Sequence, residues 1–207
     1  MVVFDSLRPL QWGALDLPIL GLDHDWHGLP VSPLAGYCVA CDPERLWLVA
    51  GQNQPASVHP GALPGLFRAQ LWRHDVAELF LGEPGGGRYL EFNLAPNAAW
   101  WSCLFTGPRV RAFEKDIPLA GVETWSSLAD DGSWMAAAAI PLEVLREQIG
   151  FGPGATGNVA FILESPDQRF LTVEDLGGDP IDFHRPDRFP VLEHEALPDL
   201  PAVSDGP

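Results

Sequence analysis

Glu78 and Glu91 each stand alone as the acidic residue of an apolar run, VAELFL and YLEFNL. Two carboxylates set this way can hydrogen-bond the hydroxyls of a sugar. They can also act as the acid and the second carboxylate that flank a glycosidic bond. Tyr89 and Asn93 alternate with Glu91 and add a phenol and an amide. Trp72 precedes the first run, and Trp100 and Trp101 follow the second. Aromatic planes cover the apolar face of a sugar ring while polar groups fix its hydroxyls.

Strands must position these residues. Side chains alternate across a strand. In Asp75–Leu81, Ala77, Leu79 and Leu81 share one face, and Val76, Glu78 and Phe80 share the other. In Arg88–Leu94, Leu90, Phe92 and Leu94 form the apolar face, and Tyr89, Glu91 and Asn93 point away. The linker GEPGGG reads as a hairpin loop, so Glu78 can lie beside Glu91 and Asn93 on one surface. The plain alternative is a sheet with one wetted face. Trp100 and Trp101 are adjacent and point to opposite faces. Trp26, Trp72 and Trp100 are the expected platform; most of the 8 tryptophans should be core.

Further strands are expected at Leu46–Gly51, Trp100–Phe105, Val122–Leu128, Ser133–Ile140, Asn158–Leu163, Phe170–Val173 and Phe189–Glu193. One helix is expected from Pro141, with Leu142, Leu145 and Ile149 on one face and Gly150 at its end. Short strands without intervening helices imply an all-β, antiparallel β-sandwich of jelly-roll type with one short helix. Residues 1–195 should form this single domain and 196–207 a flexible tail.

The chain has 207 residues, 46% hydrophobic and 19% charged, which suits one folded domain. Its net charge of −16 repels phosphate backbones and argues against nucleic-acid binding. It suits a neutral ligand, a cation or a basic partner. No stretch approaches the roughly 20 apolar residues of a membrane span. The N-terminus shows no secretory pattern, so a cytoplasmic location is expected.

Other constellations are thinner. Cys38, Cys41 and Cys103 lack a second zinc half-site and read as idle thiols. His24, Asp25 and His27 form a possible metal cluster. Asp130, Asp131 and Gly132 read as a turn. The loop DPIDFHRPDRF gathers His184, Arg185 and Arg188 as salt-bridging groups or as the rim of a site. No G-x-S-x-G elbow, P-loop or dinucleotide fingerprint occurs.

The segments LWRHDVAELFL, RYLEFNLAPNAAWW and LFTGPR resemble the core pattern of DOMON-like proteins related to the family 9 carbohydrate-binding modules. The matching positions are Trp72, Glu78, Leu79, Phe80, Tyr89, Glu91, Asn93, Pro96, Trp100, Phe105 and Arg109. DFHRPDRF, with Phe183, His184, Arg185, Pro186 and Phe189, is similar to the group's C-terminal signature. The resemblance implies a jelly-roll sandwich that binds sugars, often at chain ends; some members hold structural calcium, and DOMON relatives bind haem or sugars.

The leading expectation is a non-catalytic carbohydrate-binding domain. Its expected contacts are Trp100, Glu91, Asn93, Arg109 and His184, then Trp72 and Glu78. A haem module is the second reading, with His74 or His184 and a methionine as axial ligands. A glycoside hydrolase using Glu78 and Glu91 is the third. An interaction protein using its acidic surface is the fourth.

Overall fold

The computed structural model describes residues 1–197. Four strands come first, β1 (Val2–Asp5), β2 (Leu20–His24), β3 (Pro30–Cys41) and β4 (Arg45–Gln52). After a long loop follow β5 (Val76–Gly82), β6 (Tyr89–Leu94), β7 (Trp100–Gly107) and the short β8 (Val110–Arg111). Then β9 (Glu123–Leu128) and β10 (Trp134–Pro141) lead into α1 (Leu142–Ile149). The chain continues through β11 (Thr156–Leu163), β12 (Arg169–Thr172) and β13 (Glu193–Ala196).

Two sheets form a sandwich. One runs β13-β1-β3-β4-β10-β9, with β2 also paired to β3. The other runs β12-β11-β5-β6-β7-β8. The second sheet is antiparallel throughout. The first is mixed, because β1 runs parallel to both β13 and β3. The all-β sandwich expected from the sequence is therefore present, with one parallel edge added.

The interior follows the alternation read from the sequence. Leu79, Leu81, Leu90, Phe92 and Leu94 of one sheet pack on Val39, Leu46, Leu48, Ala138 and Ile140 of the other. Each fully buried Leu, Ile or Phe contributes roughly 1.5–3 kcal/mol. Helix α1 closes one end, burying Leu142, Leu145 and Ile149. Gly150 ends it in the left-handed region and donates its N–H to the Leu145 and Arg146 carbonyls, a conformation only glycine adopts cheaply.

The hairpin turn between β5 and β6 uses the same property. Gly85, Gly86 and Gly87 have φ of 82°, 86° and 122°, so side chains there would strain the turn. This turn fixes the register that opposes Glu78 to Asn93.

The outer faces are covered too. On the first sheet, Leu10, Trp12, Leu15 and Leu17 of the N-terminal segment pack over Trp47, Ala137 and Ala139. The alanines leave room for a stack in which Trp125 lies 6.4 Å from Trp12 and 5.3 Å from Trp47. On the second sheet, the loops before β5 and after β12 bring Leu71, Leu176, Phe183 and Phe189 over Val76, Phe80, Trp101 and Phe105. All of β5 and β6 is consequently buried. The wetted-face alternative is overturned, because these loops form a second core there.

Two boundaries differ from the sequence reading. The last strand is Glu193–Ala196, not Phe189–Glu193, and it pairs with β1. Ala196, placed in the tail by the sequence, belongs to this strand, and the Leu197 N–H donates to Asp5 O at 2.8 Å. The rest of the expected tail lies outside the described residues. Among the described residues no helix is long and apolar enough to cross a membrane.

Candidate functional site

The floor of the site is the outer face of β5, β6 and β7. Glu78 faces Asn93 across the β5–β6 ladder, and Glu91 faces Phe80. The two glutamates are thus diagonal neighbours, with backbones about 7–8 Å apart. On the other side of β6, Asn93 faces Trp101 and Glu91 faces Cys103. Glu78 is 3% exposed and Glu91 is 4% exposed. Their sheet position is fixed by inward-facing leucines, so neither can move to solvent without disturbing the main core.

Aromatic rings and loops make the walls of a cleft of about 360 Å³. Trp72 comes from a 3-10 turn, Leu71–Arg73. Its ring meets that of Trp101 at 5.2 Å between centroids, tilted by 60°. Phe105, Phe170 and Phe183 line the apolar part, and Gln168 and Arg111 the polar part. The Arg111 guanidinium lies 5.6 Å from the centre of the Trp101 ring, within cation–π range.

The turn between β7 and β8 delivers Arg109, whose φ is 58°. Its guanidinium donates to Asp182 Oδ1 at 2.7 Å. The same carboxylate oxygen accepts the His184 N–H at 2.9 Å. Asp182 therefore ties the loop after β12 to the β7–β8 turn and sets His184 over the floor.

Tyr89 completes the positioning from below. Its hydroxyl accepts the Arg109 N–H at 3.0 Å and meets His184 Nδ1 at 2.8 Å. Since a backbone N–H can only donate, the phenol proton is free for Nδ1. The neutral imidazole then carries its proton on Nε2, which stands 3.6 Å from Glu91 Oε2. Burial holds His184 neutral, lowering its pKa to about 4, with the Arg109 charge adding to the effect. Burial also pushes the Tyr89 phenol up to about 12.

The carboxylates are shifted the other way. Burial drives the Glu78 pKa well above its ordinary value, and the charge of Glu91 adds to it. Burial raises Glu91 to about 7, against the nearby Asn93 amide and the Arg109 and Arg111 guanidinia. Among the described residues, His184 is the one basic side chain in ion-pair contact with Glu91, and Glu78 has none. Beneath them, neither side-chain atom of Asn93 has a hydrogen-bond partner of normal geometry, and the Trp101 Nε1–H has none either. Buried polar groups are nearly always satisfied in folded proteins. The unpartnered polar atoms of Asn93 and Trp101 lie buried beneath the cleft floor.

Of the seven residues singled out from the sequence, the structure brings Trp72, Glu78, Glu91, Arg109 and His184 to the cleft wall. Asn93 lies fully buried in the floor between Glu78 and Trp101. Trp100 is a correction. It pairs with Leu94, which turns its ring into the space between the sheets. There it stacks on Phe92 at 5.6 Å and donates Nε1–H to Gly65 O at 3.3 Å. Trp101, one residue on, is the ring that faces the cleft. Arg111, Gln168 and Phe170 were also missed, as they arrive from a two-residue strand and from β12 and its approach.

The remaining candidates disperse. The Asp25 carboxylate accepts the His27 and Leu29 N–H groups and pairs with Arg169 at 2.8 Å, while His24 contacts Asp23. The expected metal cluster is an ion-paired loop instead. Among the described residues no three His, Cys, Asp or Glu side chains converge as a metal site. All three cysteines are free and buried, and burial raises Cys38 and Cys41 to about 12, as unreactive thiols. Neither methionine lines the cleft. Met1 lies in the core between the sheets and Met135 on the other sheet, so no His–Met axial pair forms around His184. His74 packs against His59 at 5.0 Å, away from the cleft lining.

No model of a known protein family matches the chain, and no curated protein sequence matches it significantly. Solved structures do match in fold. A proposed carbohydrate-binding protein from Bacteroides uniformis superposes with a TM-score of 0.74 at 19% identity, covering 94% of this chain and 98% of that one. A family 9 carbohydrate-binding module from Caldicellulosiruptor kristjanssonii, in complex with glucose, gives 0.63 at 13% identity over 98% of both chains. The same organism's module with cellotriose gives 0.60 at 13% identity, over 100% of this chain and 99% of that one. At these identities the likeness is one of fold. This chain has the sandwich architecture of those modules.

Proposed function

We propose that this chain is a non-catalytic carbohydrate-binding domain and that the cleft above Glu78 and Glu91 holds the sugar. The observation that carries the reading is the joining of an aromatic pair, Trp72 and Trp101, to unpartnered polar groups on a buried floor. A pyranose offers an apolar face and a rim of hydroxyls, and the cleft offers both complements. The fold likeness to carbohydrate-binding modules that hold glucose and cellotriose supports the same reading. Trp72 would cover the ring, backed by Trp101, which is only 1% exposed. Glu78, Glu91, Arg109 and His184 would take its hydroxyls, with Asn93 acting from beneath.

A hydrolytic role fits less well. Glycosidases set their two carboxyls on opposite sides of the scissile bond. Glu78 and Glu91 sit side by side on one floor and would meet the same side of a ligand. Release of product from chromogenic glycosides, lost in Glu91→Gln, would overturn the non-catalytic reading.

The test is a glycan array with calorimetry on the purified protein, with and without calcium. A saturable sugar that Trp101→Ala no longer binds supports the site. Silence across the array overturns it.

A further inference from the structure

Resting on that sugar-site reading, we propose that the cleft selects a cationic sugar, one carrying a free amine, over neutral and acidic sugars of the same ring. The argument is a matching of charges. Four strands and the loops around them bring ionisable groups to the site. β5 and β6 supply Glu78 and Glu91, with Tyr89 beside them and Cys103 opposite Glu91 on β7. The β7–β8 turn and β8 supply Arg109 and Arg111. The loops supply Asp116, Asp182 and His184.

Both guanidinia are already matched. Arg109 is held by Asp182, and Arg111 by Asp116. His184 is neutral at the pH of most cells, because its burial and the Arg109 charge oppose a second proton. Tyr89 and Cys103 are held in their neutral forms by burial. Among the described residues no guanidinium is in ion-pair contact with either floor glutamate, although the charges of Arg109 and Arg111 reach Glu91 from a distance, and these two are the most deeply buried acids of the cleft. A buried acid without a cation beside it holds its proton, and a ligand that brings positive charge lets it ionise and pair.

The walls point the same way. The half-buried Trp72 face carries negative quadrupole potential and attracts cations. Trp101 already holds one cation, Arg111, on its ring. The net charge of −16 draws cations toward the chain in general. An acidic sugar would bring its carboxylate over two others, and the guanidinia it needs are already neutralised. A charge-assisted hydrogen bond is about twice as strong as a neutral one, which favours the amine on the order of tenfold over a hydroxyl at the same carbon.

Binding an ammonium also expels the proton that burial keeps on the glutamates, whereas a neutral sugar expels none. The experiment is titration calorimetry of the intact protein at pH 6.5, in two buffers of different ionisation heat. The probes are glucosamine, glucose and glucuronate, and the matching galactose series. In the series that binds, the amine should bind about tenfold tighter than its neutral parent, with proton release, and the uronate weakest. In Glu91→Gln the amine should fall to the level of the parent. The wild-type comparison stands even if that variant folds poorly.

Equal or tighter binding of the neutral parent overturns the proposal and leaves the sugar site standing. Tightest binding of the uronate does the same. No binding by any probe also overturns it, and the glycan array then decides the sugar site separately.

Discussion

His184 Nε2 stands 3.6 Å from Glu91 Oε2; burial keeps the imidazole uncharged near neutral pH and raises the Glu91 pKa to about 7. The imidazole is fixed from behind by Tyr89 and Asp182, so its free N–H is aimed at the carboxylate and at whatever lies between. The contact is a neutral donor above an acid that gains its charge late.

That pairing predicts how stability varies with pH. Glu91 ionises at about 7 in the fold and near 4.5 when free. Its raised pKa favours the folded state fully below 4.5, and the benefit is lost as pH rises through 7. Glu78 is shifted in the same direction. His184 is shifted oppositely, from 6.5 to about 4, so it destabilises as pH falls across that window. Between pH 5 and 6.5 one glutamate and the histidine largely cancel, and the second glutamate tilts the balance. Melting of the ligand-free protein should fall between pH 5.5 and 8.5. Glu91→Gln should match the wild type only below about pH 4.5 and exceed it at pH 8.5 by about 1–3 kcal/mol. At about 2–4 °C per kcal/mol for this size, a thermal-melt series resolves the difference. Parallel curves for the two proteins would exclude the buried-acid account.

The two adjacent tryptophans should respond differently. Trp100 fills the main core against Phe92 and Phe67. Its replacement by alanine should cost about 3–5 kcal/mol, as large aromatic deletions do. Trp101 also contributes to the second core, so Trp101→Ala will lower stability as well. Its distinguishing effect is on binding at temperatures where both variants are folded, where Trp101→Ala should lose at least about tenfold in sugar affinity. Trp100→Phe should keep it. Calorimetry alongside denaturant melts separates the two effects.

Much of this arrangement was legible in the sequence. β5, β6 and β7 were clear because strict alternation sends Leu79, Leu90 and Phe92 inward and leaves Glu78 and Glu91 together on the other side. The helix was clear from Pro141 and Gly150. The tryptophan parity was not, because Trp100, Ser102 and Leu104 on one side and Trp101, Cys103 and Phe105 on the other do not separate into a core face and an outer face. Counting back from Asn93 across the APNAA turn would have placed Trp101 beside it, but only with the turn length known. β1 to β3 were hidden for another reason. β3 carries Pro30, Pro33 and Gly36, which weaken a strand signal, yet Pro33 lies beyond the ladder with β4, which begins at Ala35. The burial of the floor was not legible at all. It depends on two long loops folding back over the sheet, and no short-range pattern encodes that.

Tyr89 offers a test of the scaffold behind the site. Its hydroxyl serves the Arg109 N–H and His184 Nδ1 at once. Tyr89→Phe keeps the ring stacked on Phe105, 4.8 Å away, and removes only the oxygen. Two part-buried hydrogen bonds are then lost, which should cost about 1–2 kcal/mol. The His184 ring should also lose its fixed tautomer, which nitrogen-15 shifts of the imidazole report directly. An unchanged Nε2–H tautomer with unchanged stability would mean that Asp182 alone positions the loop.

The Asp25–Arg169 pair predicts what the N-terminal loop does. Asp25 is bound by two backbone N–H groups and by Arg169, which also donates to the Leu29 and Pro30 carbonyls. This joins the β2–β3 turn to β12 at one end of the sandwich. Beside it, the Trp26 backbone N–H donates to Phe170 O at 2.7 Å, and the Trp26 ring packs on Phe183 of the cleft wall at 5.7 Å. Loosening the turn should therefore reach the cleft. Asp25→Asn keeps the shape and removes the charge that holds Arg169, and it should lower stability by about 1–3 kcal/mol. Sugar affinity should weaken by a few-fold through Phe183 and Phe170, with both rings still present. If the loop were instead a metal site, calcium or zinc would raise the wild-type melting temperature and leave Asp25→Asn unmoved. Melts with each metal and with a chelator distinguish these outcomes, and the ion-paired geometry predicts no shift in either protein.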